Sequence, residues 1–165
     1  MAAEACLDWM DDEEFGPLAG EAFSAITGLI MEGRYRKLPP DVEQLIPLEE
    51  ESLDANLVPG PEKSLPLPRA GAVEAWWHQA RKNFERGVRY LRGTPVAGVV
   101  ELLTAFQHEP LRRQSGHAME VAIRSRGAHL LQPRAFSRRQ LAAWEMARTG
   151  RGSVSMSPFT KLFGG

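Results

Sequence analysis

The chain has 165 residues, 43% hydrophobic and 25% charged, one cysteine and a formal net charge of −1. Such a composition supports one domain, or one and a half, and excludes global disorder. No apolar run approaches the roughly 20 residues a bilayer span needs, which excludes membrane insertion through a helix. Cys6 alone cannot close an internal disulfide, and no basic stretch followed by an apolar one opens the sequence. A reducing, cytoplasmic compartment is therefore the expectation.

The small net charge conceals an asymmetry. Residues 1–70 carry 15 acids and 5 bases, residues 71–165 carry 6 acids and 15 bases, and 13 of those later bases are arginines. Arginine suits carboxylate pairing at least as well as phosphate contact, so the acidic half, or an acidic partner, is the expected counterpart. Nucleic acid bound through the arginine-rich half is the alternative.

In chain order, a short helical turn is expected over Leu7–Asp12. A helix then begins near Gly16 with Pro17 in its first turn, where a missing N–H costs nothing. Phe15, Leu18, Ala19, Ala22, Phe23 and Ile26 fall at helical spacing, and Gly28 supplies a stop. Residues 38–70 hold seven of the 12 prolines and the acidic run Glu49, Glu50, Glu51 and Asp54. They read as a long proline-rich acidic connection, draped over the helices by Leu45, Ile46, Leu48, Leu57 and Val58 or extended as an interaction arm.

The next helix carries Val73, Trp76, Trp77, Ala80 and Phe84 at helical spacing. Two adjacent tryptophans cannot serve one contact line; Trp76 is assigned to the core and Trp77 to the connection or to a partner, where tryptophan is favoured. Thr94 as N-cap and Pro95 as first residue open a helix striped by Val96, Val99, Val100, Leu103 and Phe106. The break His108-Glu109-Pro110 starts another through about Arg124, with Leu111, Ser115, Ala118, Met119 and Ala122 inward and Gly127 as stop. So short a turn predicts antiparallel packing of the two. Ser137 caps a last helix to about residue 148, with Leu141 and Trp144 inward. The aperiodic residues 150–165 are expected to be a flexible tail.

The hairpin over 94–125 resembles a HEAT repeat through Glu109-Pro110-Leu111-Arg112 followed by Ser115, Ala118 and Met119. The first helix repeats this at an offset of 96, with Glu13, Phe15, Ala19, Gly20, Ala22 and Phe23 matching Glu109, Leu111, Ser115, Gly116, Ala118 and Met119. The stretches LAGEAFSAITG at 18–28, LVPGPEKSLPLPRAGAVEAWW at 57–77, RYLRGTPV at 89–96 and AIRSRGAHLLQPRAFSRRQ at 122–140 resemble a group of bacterial HEAT-repeat proteins. The resemblance implies an all-α fold of HEAT-like antiparallel hairpins, divided into a partial repeat at 1–37, the connection at 38–70, a helical domain at 71–149 and the tail. It further implies the C-terminal portion of a longer protein, no established activity, a link to a bacterial secretion system, and an uncovered apolar face on the first helix through which the chain could self-associate.

No catalytic chemistry stands out. His78, His108, His117 and His129 have no second ligand at metal spacing, and His117 with Glu120 reads as a surface polar pair. Cys6 lacks an electropositive setting and reads as an inert thiol. The acids Asp11 to Glu14 and Glu49 to Glu51 lie in solvated runs. Gly150-Arg151-Gly152-Ser153 follows a helix and lacks the lysine of a phosphate loop. The chain is thus expected to have no catalytic residue, cofactor or metal, and to act as a protein-binding adaptor. Its candidate surface is Trp77, Arg112, Arg113, Arg138 and Arg139. Arg112 and Arg113 oppose the dipole at a helix start and so require another partner: acidic residues of the long connection, an acidic partner, or phosphate.

Overall fold

The computed structural model describes residues 2–38, 64–135, 137–150 and 154–162. They are mostly helical, with one small antiparallel sheet, and the chain divides into unit 1, Met1–Val88, and unit 2, Arg89–Gly165. The division separates the expected 71–149 domain: its first helix belongs to unit 1 and the rest to unit 2. No helix among the described residues is long and apolar enough to cross a membrane.

Unit 1 opens with α1, Ala2–Leu7, earlier than the turn expected over Leu7–Asp12. The chain reverses through Asp12, whose Oδ1 accepts the N–H of Glu14 at 2.9 Å and of Phe15 at 2.8 Å. That Asx turn launches α2, Gly16–Thr27, with Pro17 in its first turn, and Gly28 ends it at φ 78° with its N–H on Ser24 O. Gly16 is required by a close approach: a Cβ there would lie 2.8 Å from Met10 O. The buried line of α2 is Gly16, Ala19, Gly20, Phe23 and Thr27, so Ala19 and Phe23 face inward as expected while Phe15 and Leu18 do not.

The chain then forms a 3-10 turn at Gly33–Tyr35 and an antiparallel bridge between Arg36 and Pro68. Lys37 N–H bonds Leu67 O and Arg69 N–H bonds Tyr35 O, both at 2.8 Å. The end of the expected connection is thereby fixed, with Pro68 fully buried; Leu45, Ile46, Leu48, Leu57, Val58 and the acidic run lie outside the described residues. α3, Ala70–Ala80, buries Val73, Trp77 and Ala80 at i, i+4 and i+7. The core gathers Ala3, Met10, Phe23, Val73 and Trp77, with Phe23 edge-on to Trp77 at 5.6 Å between ring centroids.

Unit 2 begins with a hairpin where a helix start was expected. Arg92 at φ 51° and Gly93 at φ 78° form a two-residue turn that pairs β1, Tyr90–Leu91, with β2, Thr94–Pro95. Positive φ at both central positions matches the twist of paired strands, and glycine supplies one at no cost. Thr94 and Pro95 are therefore strand residues. The helix they were expected to open, α4, spans Val99–His108, and Glu101 Oε2 accepts the N–H of Gly98 at 2.8 Å.

After Glu109 and Pro110 comes α5, Leu111–Arg124, and after a loop α6, Ser137–Thr149. Val99, at the start of α4, and Val121, near the end of α5, share one core with Leu102, Leu103, Phe106, Ala118, Leu131 and Ala147, so the two helices run antiparallel. Trp144 of α6 donates its Nε1–H to Leu103 O at 3.2 Å, while Leu141 points outward. The described part of the expected tail is docked: Val154 is buried in this core, and α7, Phe159–Leu162, follows.

The inner face of α5 differs most from expectation. Leu111 and Met119 are exposed, and the buried positions are His117, Ala118, Glu120, Val121 and Arg124. In the offset of 96, Ala19, Gly20 and Phe23 are buried where Ser115, Gly116 and Met119 are exposed. The two segments thus bury opposite phases of the same pattern, and the internal repeat does not extend to packing.

Candidate functional site

Two features stand out, one in each unit. In unit 1 the turn between α1 and α2 places Trp9 and Phe15 edge to face, with ring centroids 5.7 Å apart. Neither ring enters the core: Trp9 is 55% exposed, Phe15 46% and Leu18, one turn along α2, 47%. With Ala5, Cys6, Ala19 and Ala22 they line a groove of about 450 Å³. No lining side chain carries a charge, a hydroxyl or an amide. The Cys6 thiol donates to Ala2 O at 3.3 Å, and burial pushes its pKa up, so it remains a neutral thiol at ordinary pH. Such a groove offers apolar contact.

In unit 2 the buried face of α5 carries a charge cluster. Glu120 receives both Arg89 guanidinium nitrogens, Nη2 to Oε2 at 2.7 Å, and the Nε–H of Arg124 at 2.7 Å. Arg124 also donates to Ser155 O at 3.1 Å and Ser157 O at 2.9 Å and lies 4.4 Å from the centre of the Phe159 ring. One turn away, Glu109 Oε2 is 3.3 Å from His117 Nε2 and 3.5 Å from Arg113 Nη1. Burial alone would raise both carboxyls. His117 and Arg113 hold Glu109 below the usual carboxylate range, and Arg89 and Arg124 do the same for Glu120. The Glu120 carboxylate, by hydrogen bonding, raises Arg89 in turn. Every charge here faces an opposite charge inside the unit, an arrangement that joins the hairpin, α5 and the chain-terminal segment.

The residues singled out by sequence fare unequally. Trp77 is 2% exposed and packs between Phe23 and Phe84, while Trp76 is half-buried, which reverses the expected assignment and removes Trp77 from any surface. Arg113 finds its acidic partner in Glu109, at the turn that opens its own helix. Arg112, Arg138 and Arg139 are exposed, the last two on the first turn of α6. His117 and Glu120 are buried and serve different partners, so they are not a surface pair. His78 lies 3.8 Å from Glu74 on the exposed face of α3. Among the described residues no group of three or more His, Cys, Asp or Glu is placed to hold a metal ion.

Sequence spacing did not reveal Trp9 and Leu18 as groove walls, nor Glu109, Glu120, Arg89 and Arg124 as an interior cluster. One available signal was that Glu120 and Arg124 stand at i and i+4 in line with Val121 and Ala118. Comparison with protein families, with curated proteins and with solved structures yields no match to this chain.

Proposed function

We propose that this chain is a protein-interaction module, an adaptor built on HEAT-like helical hairpins, that binds a protein partner through the apolar groove of unit 1 and carries out no catalysis. The observation that carries the reading is the groove itself: three large side chains, Trp9, Phe15 and Leu18, remain in water around a concavity whose lining is almost wholly apolar. Exposed apolar surface of this kind is costly in isolation and gains free energy when a partner covers it. The arginines of unit 2 support protein binding over nucleic acid, because Arg89, Arg113 and Arg124 are engaged by carboxylates.

A photo-crosslinking amino acid at Ala22, inside the groove, tests this in cells of the source organism. We expect discrete protein adducts that disappear when Leu18→Glu is added and that do not form from Gln79, on the exposed face of α3. Equal adduct patterns from positions 22 and 79, or adducts indifferent to Leu18→Glu, would refute the reading.

A further inference from the structure

The interior of unit 2 is completed by a piece of chain that α5 grips from one side. Residues 154–158 have no regular structure and lead into α7. Ser155 N–H bonds Arg124 O at 3.0 Å, and Arg124 Nη1 donates to Ser155 O at 3.1 Å and to Ser157 O at 2.9 Å. Arg124 is the last residue of α5, so its carbonyl is one of the four that a helix end leaves without a partner inside the helix. All three bonds use main-chain atoms of the segment. Its side chains add apolar contact: Val154 is buried in the core, Met156 packs against that core, and the Phe159 ring centre lies 4.4 Å from the Arg124 guanidinium. Ser157, Pro158 and Lys161 are exposed.

These are the parts of a peptide-binding site, in which main-chain bonds hold a backbone and side-chain contacts at fixed spacing select a sequence. The group that receives the segment is positioned without it. Arg124 is 6% exposed and its Nε–H is on Glu120 Oε1 at 2.7 Å, so departure of residues 154–162 leaves the guanidinium paired and strands no buried charge. Arg89 holds the other oxygen of Glu120 at 2.7 Å, which keeps that carboxylate in place. Among the described residues, no hydrogen bond or ion pair joins a side chain of the segment to the rest of the unit.

We propose that unit 2 holds a peptide-binding site filled by its own chain, and that a peptide segment of a partner protein, apolar at i and i+2 and aromatic at i+5, displaces residues 154–162 and takes their place on Arg124. The spacing is that of Val154, Met156 and Phe159, the three side chains by which the resident segment adds apolar contact. The resident segment is tethered, so its effective concentration at the site is on the order of millimolar, and an incoming peptide competes against it. Only the fraction of molecules with the segment released can bind, which lowers the apparent affinity by that fraction. Anything that weakens the resident contacts therefore strengthens binding of the partner. The inference is independent of the reading given to the groove of unit 1.

Fluorescence anisotropy of a labelled synthetic peptide with the sequence of residues 154–162, titrated with the full chain, tests this. The double variant Val154→Asp with Met156→Asp ejects the tethered segment and leaves α5 untouched. It should bind the peptide about tenfold more tightly than wild type, or better. Adding Arg124→Gln should remove that gain, and a peptide carrying Val154→Asp should not bind the double variant. Should the double variant lose the wild-type circular dichroism, Phe159→Ala decides instead. Its ring lies at the surface, so the fold is kept, and loss of its contact with Arg124 should tighten peptide binding by about threefold. Peptide binding no tighter in the folded variant than in wild type, or a gain that survives Arg124→Gln, would overturn the proposal.

Discussion

Unit 1 closes its interior with rings: Phe23 meets Trp77 edge-on, Phe84 covers the far side, and among the described residues no acid or base of that unit is buried. Unit 2 closes an aliphatic interior of Val99, Leu102, Leu103 and Val121 with a layer of ions, in which Glu109 and Glu120 are almost wholly withdrawn from water. Aromatic burial is non-directional and tolerates changes of pH and salt. An ion layer binds distant segments in fixed geometry and depends on the protonation of two carboxyls. The comparison therefore predicts different failures in the two units.

The largest effect is expected from Phe23→Ala, which empties a site with no exposure between two tryptophans and should cost unit 1 about 3–5 kcal/mol. Urea unfolding followed through the Val73 methyl signals measures it. A loss under about 1 kcal/mol would mean the rings do not form a close-packed core. In unit 2, Glu120→Leu leaves Arg124 buried beside an apolar group and should cost about 3 kcal/mol, whereas the double variant with Arg124→Leu should recover a substantial part of that. Single and double variants that destabilise additively would show that the two residues do not act as a pair.

Acid provides a finer test. Glu109 and Glu120 titrate lower in the folded chain than the ordinary carboxylate value of about 4.3. The stability they confer is thus complete above that value and is lost as pH falls through their lowered folded values. The Val121 methyl environment should loosen below about pH 4, and Glu120→Gln should flatten this dependence. A pH-independent Val121 signal would remove the ion layer from the account. The smallest effect is expected from Met119→Ala, within about 0.5 kcal/mol, because that side chain is 63% exposed on the outer face of α5.

This last variant also marks what the sequence could convey. Helix boundaries were legible where backbone chemistry fixes them: Pro17 and Gly28 bracket α2, Pro110 precedes α5, and Gly127 follows it at φ 85°. The helical phase of α5 was not, because periodicity places apolar residues inward, and here His117, Glu120 and Arg124 occupy the interior by pairing while Leu111 and Met119 lie outside. Trp76 and Trp77 differ by one position and both meet the Phe23 ring, so helical spacing does not decide which of them is buried. The hairpin turn Arg92-Gly93 was masked by Thr94-Pro95, which suits a helix start equally well. The groove eluded spacing arguments for a further reason: Trp9 belongs to no regular element, and its neighbour Phe15 reads as core until the turn at Asp12 is known.

Arg124 recognises the chain-terminal segment through the carbonyls of Ser155 and Ser157, groups that every amino acid carries. The path of that segment is thus prescribed through its backbone at positions 155 and 157, whichever side chains stand there. Among relatives of this protein, positions 155 and 157 can drift widely in residue type, and position 124 will remain arginine for as long as Val154 is needed to complete the interior.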